Sequence, residues 1–303
     1  GVTTFFLNEN IDTGDIIDLK KTTICPKETA GELHERLKII GSELLVKTTK
    51  SIFDKKYKLI SNLNENGYVI LENVINFEKI QPILYECRNL LIDVSTGTSA
   101  FGGFNTQRLF NLVARTRVLD DLILFPDLIA IVEGYLNDQI QLSVASLINV
   151  KPGETSQPLH RDDSLYPLIR PRIPLTVNAM WSITEFTKEN GATLLLPGSH
   201  NLQEESAPNE PITITAKMPA GSVILYDGSL FHAAGSNLSD SERLGLSVVY
   251  SRAWLRQQEN QFLGVPPEIA RTLPRQMQKL VGYWVVNNFL GYLNNESPSR
   301  LLD

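Results

Sequence analysis

The chain has 303 residues, 42% of them apolar and 20% charged, and carries a formal net charge of −6. That length allows one large core, or one core plus a small appendage, with the composition of an ordinary globular protein. Basic residues are dispersed and no apolar run is bilayer-length, so neither nucleic acid nor a membrane is expected as a partner.

The opening GVTTFFLNEN lacks the basic and apolar regions of a signal peptide, and Cys25 and Cys87 lack metal-ligand spacing. Two free thiols in a reducing cytoplasm are the expectation. Residues 1–54 read as two short strands, GVTTFFL and DIIDLKKTTI, followed by one amphipathic helix. Thr29 and Glu32 have capping-box spacing, and Leu33, Leu37, Ile40, Leu44 and Ile52 recur at helical intervals. From about Lys55 the texture changes, which places a boundary between 1–54 and 55–303.

Beyond it, GYVILENVI (67–75) reads as a strand, and 76–93 as a helix capped by Asn76. The Gly/Ser/Thr-rich stretch 95–106 reads as a mobile surface loop, and helical segments follow around 116–124 and 127–136. Strands then dominate, at 139–150, 174–186, 192–198, 211–218, 221–228 and 243–251, separated by turns such as KPGE, KENG and SNLSDSE. Residues 266–290 read as helical again. Many short strands with Gly, Pro and Asn turns predict a mainly β core, a sandwich or jelly roll, flanked by N-terminal and C-terminal helices.

The chain has four histidines, so each can be weighed singly. In LHRDDSLYP, His160 and Asp162 stand at i and i+2, which an extended backbone projects to one face. His232 follows in YDGSLFHAAGSN, just beyond a strand-like run, and a jelly roll brings such distant strand ends together. Two imidazoles and one carboxylate occupy three octahedral positions and leave three open, the arrangement of Fe(II) oxygenases. An isolated H-x-D is more often a solvated strand end. The conjunction with Arg243, opening the next strand, points to a metal site, because a guanidinium inside the same barrel suits the far carboxylate of a dicarboxylic co-substrate.

These residues, with KPGETSQPLHRDD, NAMWSITEFTKENGATLLLPGSH and YSRAWLRQQENQ, resemble the phytanoyl-CoA dioxygenase family of Fe(II)/2-oxoglutarate oxygenases over about residues 60–295. The resemblance implies a double-stranded β-helix (jelly roll) with the metal triad His160, Asp162 and His232 at one end. It implies Fe(II) as metal, with 2-oxoglutarate and O₂ as co-substrates. It further implies that Gln157 and Thr193 contact 2-oxoglutarate, that Arg108 approaches co-substrate or substrate, and that Asn178 and Trp181 lie on a pocket strand where core packing is the competing role. The family often carries Ser or Thr two residues after the distal His; here Ala234 stands there, with Thr193 or Ser236 as replacement hydroxyls. Related halogenases replace the carboxylate ligand by a small residue, so Asp162 points to hydroxylation, desaturation or rearrangement. His200 and His34 are expected to be structural and surface residues.

The first fifty residues are similar to the late catalytic domain of formyltransferases that use 10-formyltetrahydrofolate, with Asp12 of IDTGD at the position of the catalytic aspartate. The Asn and His partners are not present, so no formyl transfer is expected. The segment implies either a remnant that packs on the core or builds a homodimer contact, or the late part of a formyltransferase–oxygenase fusion. The leading expectation is an oxygenase of a small molecule in specialised or lipid-type metabolism. A silent ligand- or metal-binding jelly roll is the alternative, and an oxygenase acting on a formylated or carrier-bound intermediate is another.

Overall fold

The computed structural model describes residues 2–5, 16–25, 27–203 and 206–302. Asp12 lies outside the described residues. The chain divides into two compact units, Gly1–Leu59 and Ile60–Asp303.

In the first unit, β1 (Val2–Phe5) pairs antiparallel with β2 (Ile16–Lys20), Val2 opposite Lys20. The capping box forms as its spacing predicts: Glu32 N–H donates to Thr29 Oγ1 at 3.3 Å, and Thr29 N–H to Glu32 Oε2 at 2.9 Å. It starts α1 (Ala30–Asn66), which is longer than the sequence reading allowed and runs through the boundary placed at Lys55. The reason is local. No proline interrupts residues 30–66, and the first stop is Gly67, at φ 79°. Leu44 and Thr48 are buried on one face of α1, and His34 is exposed.

The second unit opens with β3 (Tyr68–Leu71) and α2 (Phe77–Leu90), whose Asn76 cap accepts from Lys79 N–H. β4 (Thr106–Leu109), the single turn α3 (Asp120–Ile123) and α4 (Pro126–Leu136) follow. Then come β5 (Ile140–Val150), β6 (Thr176–Ser182), β7 (Thr193–Leu195), β8 (Ile214–Thr215), β9 (Val223–Asp227), β10 (His232–Ala234) and β11 (Arg243–Arg252). The chain closes with α5 (Gln261–Gly264), α6 (Pro267–Ala270) and α7 (Arg275–Val281). The helix expected over 266–290 is therefore two short pieces. Pro274 caps the second, and Gly282 at φ 113° ends it.

Among the described residues, all strand pairs are antiparallel. A six-stranded sheet runs β3-β9-β6-β11-β5-β4, and a three-stranded sheet runs β10-β7-β8. Ile148, Val150, Met180, Ile224 and Tyr226 of the large sheet pack in one cluster with Leu195, Ala216 and Met218 of the small one. The core thus sits between the sheets, as the strand pattern predicts for a jelly roll. The outer face of the large sheet is apolar too: Ala179, Trp181, Leu225, Val248 and Tyr250 are buried, and the Tyr250 hydroxyl donates to the Ile123 carbonyl at 2.6 Å. Among the described residues, no helix is long and apolar enough to cross a membrane.

Candidate metal centre

Residue 160 pairs with residue 232 across an isolated antiparallel bridge, each backbone N–H donating to the other's carbonyl at 3.0 Å. That bridge seats the H-x-D segment beside β10, and the i, i+2 spacing turns both His160 and Asp162 inward. His160 Nε2 lies 3.7 Å and His232 Nε2 3.5 Å from Asp162 Oδ1. One ligand atom from each of the three residues lies within 4.8 Å of the others.

The rings are aimed. His160 Nδ1–H donates to the Pro158 carbonyl and His232 Nδ1–H to the Leu230 carbonyl, both at 3.0 Å. A carbonyl only accepts, so each Nδ1 carries the proton and each Nε2 keeps a free lone pair toward the centre. Burial, and then the neighbouring His232 ring, pushes His160 down to about 4, so it is a neutral donor at pH 7. Asn178 Nδ2 donates to Asp162 Oδ2 at 3.2 Å, leaving Oδ1 facing the imidazoles. Ser247 Oγ holds the other end of that amide, donating to Asn178 Oδ1 at 3.1 Å. The donor set and its orientation fit a divalent metal with open positions.

These side chains line a cavity of about 430 Å³ that also holds Arg108, Gln157, Thr193 and Arg243. Arg243 is 1% exposed, and its Nε and Nη1 have no hydrogen-bond partner. Burial first, and then the Arg108 guanidinium, push its pKa down to about 10, still charged at neutral pH. A buried cation with unmade donors is costly unless an anion completes it, so the cavity is built for an acidic ligand. A roomier cleft of about 560 Å³, lined in part by Trp254, Phe262 and Trp284, holds no grouping of His, Cys, Asp or Glu that could bind a metal among the described residues. Chemistry, not size, selects the smaller cavity.

Thr193 stands directly opposite Ala234 in the β7–β10 pair, so its hydroxyl lies beside the position where Ala234 lacks one; Ser236 does not line the cavity. Gln157 reaches the cavity with its amide committed: Nε2 donates to the Phe101 carbonyl at 2.8 Å, and Oε1 accepts from Ala234 N–H at 3.2 Å. Arg108 Nε donates to the Gly102 carbonyl at 3.2 Å, and Glu154 accepts from Asn105 N–H and Thr106 Oγ1, each at 2.7 Å. The stretch read as a mobile loop is thus tied down at several points. Gly103, at φ 83°, sits where a Cβ would come within 2.6 Å of Glu154 Oε2. The Phe101 ring stands edge-on to His160, centroids 4.8 Å apart.

Trp181 departs from the expectation. It is fully buried on the outer face of β6, edge-on to Phe125 with centroids 5.8 Å apart. Side chains alternate along a strand, so Asn178 and Trp181, three positions apart, cannot share a face. His200 takes a structural place, its Nε2 3.1 Å from the Asn64 carbonyl. Sequence reasoning missed Asp163, which is fully buried. Burial would raise its pKa, but hydrogen bonds from Arg170, Ser229 and Arg172 outweigh it and hold the carboxyl below the usual range. The doubled acid in HRDD was the available signal.

The family profile described as phytanoyl-CoA dioxygenase (PhyH) matches residues 63–245, and the formyl transferase profile matches residues 1–49. The dioxygenase olcK of Penicillium canescens is 35% identical over 244 residues, covering 75% of this chain and 80% of that one.

The chain belongs to the phytanoyl-CoA dioxygenase family.

As a member of that family it is a non-haem Fe(II)/2-oxoglutarate-dependent dioxygenase. The dioxygenase af480 of Aspergillus fumigatus is 33% identical over 260 residues, 79% of this chain and 82% of its own length. Among solved structures, the epimerase SnoN in complex with Fe³⁺, alpha ketoglutarate and nogalamycin RO superposes with a TM-score of 0.59 at 21% identity, covering 69% of this chain and 89% of SnoN. HygX of Streptomyces hygroscopicus, with nickel, 2-oxoglutarate and hygromycin B bound, gives 0.56 at 17% identity, covering 66% and 88%. The jelly-roll fold is common to these enzymes.

Proposed function

We propose that this family member oxidises an apolar small molecule, by hydroxylation, desaturation or oxidative rearrangement, in specialised metabolism. Fe(II) is held by His160, Asp162 and His232, and the far carboxylate of 2-oxoglutarate by Arg243. The observation that carries the co-substrate assignment is Arg243 itself, a buried guanidinium with two donor nitrogens unpartnered at the cavity. Arg108 adds positive charge on the same side, and Thr193 offers a hydroxyl.

When bound, the metal supplies the oxidising chemistry, with O₂ consumed and 2-oxoglutarate converted to succinate and CO₂. The chain's own share is positional. Nδ1 bonds to Pro158 and Leu230 hold both imidazoles with Nε2 inward, and Asn178 fixes which carboxylate oxygen of Asp162 faces them. Arg243 orients the co-substrate by a two-point grip. Asp162, a carboxylate rather than a small residue, favours hydroxylation, desaturation or rearrangement over halogenation.

The cavity mouth supports an apolar substrate. Phe101, Phe110 and Leu165 line it while remaining 57%, 48% and 53% exposed, and Gln157 and Gln258 are uncharged. Exposed apolar side chains at a cavity rim are those a lipophilic ligand would cover. The similarity to SnoN, an epimerase from nogalamycin biosynthesis, supports specialised metabolism.

A second reading rests on the formyl transferase match over residues 1–49: the oxygenase works beside formyl-transfer chemistry, or pairs as a homodimer through that segment. Light scattering on the whole chain decides the dimer.

The test of the main reading is anaerobic titration of the Fe(II)-loaded chain with 2-oxoglutarate, followed in the visible region. A metal-to-ligand charge-transfer band is expected. His232→Ala should abolish it, and Arg243→Ala should raise the half-saturating 2-oxoglutarate concentration at least about tenfold. No band from the wild type, or Arg243→Ala saturating like wild type, sinks the assignment.

A further inference from the structure

Asp162 and His232 come from segments far apart in sequence, yet Asp163, next to the first, is bonded to Ser229, three residues before the second. Asp163, immediately after Asp162, accepts from Ser229 Oγ at 2.5 Å, and its N–H donates to the Gly228 carbonyl at 3.1 Å. Ser229 is followed by Leu230, whose carbonyl orients the His232 ring. One short span of chain thus touches Asp163 and, one residue later, aims His232.

The contact is braced on both sides. Arg170 donates from Nη2 to Asp163 Oδ1 at 2.6 Å and from Nη1 to Ser229 Oγ at 2.7 Å. Arg172 Nη2 lies 2.6 Å from Asp163 Oδ2 and also donates to the Asp163 carbonyl at 2.8 Å. Behind Ser229, its N–H donates to Asp227 Oδ1 at 2.6 Å, and Tyr135 donates its hydroxyl proton to Asp227 Oδ2 at 2.6 Å. Asp163, Asp227, Ser229 and Arg170 are all buried. Charge-assisted bonds of this kind, sealed from water, hold geometry tightly.

From this we infer that the Asp163–Ser229 pair is a positioning device that sets the spacing of Asp162 and His232 before metal arrives. The inference rests on the reading of His160, Asp162 and His232 as metal ligands. Neither residue touches the metal position; both act through the neighbours they hold. A preset site binds metal without first ordering two distant segments, whereas a loosened one surrenders part of its binding free energy to that ordering. A purely structural role predicts something else: any break in the network would lower stability and leave metal affinity nearly alone.

The two roles separate in a calorimetric titration of the metal-free whole chain with Co(II), run beside thermal unfolding. Ser229→Ala removes the bridging hydroxyl. Tyr135→Phe breaks the same network at its far end, where Tyr135 meets Asp227. Expected is a Co(II) affinity about 10–100-fold weaker for Ser229→Ala, the range found for residues that support metal ligands. Tyr135→Phe should stay within about threefold of wild type while its unfolding temperature falls. Wild-type affinity in Ser229→Ala, or equal weakening in both variants, overturns the inference. If Ser229→Ala does not fold, Ser229→Cys keeps the size and loses the strong donor, and the same comparison is read on it. No Co(II) binding by wild type instead overturns the ligand assignment, so the two failures are distinguishable.

Discussion

At Arg243, His160 and Cys87, burial shifts protonation more than charge pairing does, whereas at Asp163 the hydrogen bonds from Arg170, Ser229 and Arg172 outweigh it. Arg243 and His160 are both shifted toward their neutral forms by desolvation, and both remain suited at neutral pH to gripping an anion and donating a lone pair. Cys87 is the simplest case. It is fully buried, and burial pushes its thiol up to about 12, whereas Cys25 is exposed. Thiol reagents attack through the thiolate, so at pH 8 the native chain should react with one equivalent of an aromatic disulfide, and with a second only on unfolding. Two equivalents at the native rate would contradict this burial. The same shift fixes a sign. A folded pKa above the unfolded value, near 8.5, favours the folded chain fully below that pH and progressively less as pH rises toward 12. In Cys87→Ala the alkaline decline in unfolding free energy should therefore be shallower.

Strand parity explains both what was legible and what was misassigned. His160 and Asp162 share a face by the two-residue period, which is why their pairing could be read before any fold was known. The same rule excludes a shared face for Asn178 and Trp181, and β6 obeys it: the amide meets Asp162, and the indole packs on Phe125. Trp181→Ala should cost about 3–5 kcal/mol of stability as a core truncation. Half-saturation of the charge-transfer band by 2-oxoglutarate should stay unchanged wherever the variant is folded. A loss of co-substrate affinity at undiminished stability would instead return Trp181 to the cavity. The helices were harder to bound than the strands. No breaker marks residue 55 within α1, and the pattern over 266–290 concealed the stops at Pro274 and Gly282.

Across the whole molecule, the oxygenase site draws on residues from 101 to 258, all inside the unit Ile60–Asp303. Every residue proposed to hold metal or co-substrate belongs to that unit, so a chain beginning at Ile60 should develop the Fe(II)/2-oxoglutarate band at full intensity per iron. A truncated chain that folds, by its circular dichroism, but gives no band would make the first unit part of the oxygenase. The composition change near Lys55 lies close to the division after Leu59, although one helix runs through it.

The two-residue period made the His160–Asp162 pair legible in the sequence, whereas His232, Arg243 and the oxygenase chemistry were read from the conjunction of these residues with the family resemblance. Tertiary structure alone decided which partners those groups meet. It left two nitrogens of Arg243 without a protein acceptor, committed the Gln157 amide to backbone groups, and set Asp163 against Ser229. The physical reason is that periodicity dictates which face a side chain occupies, whereas the group opposite it comes from a distant segment and is chosen by the packing of the two sheets.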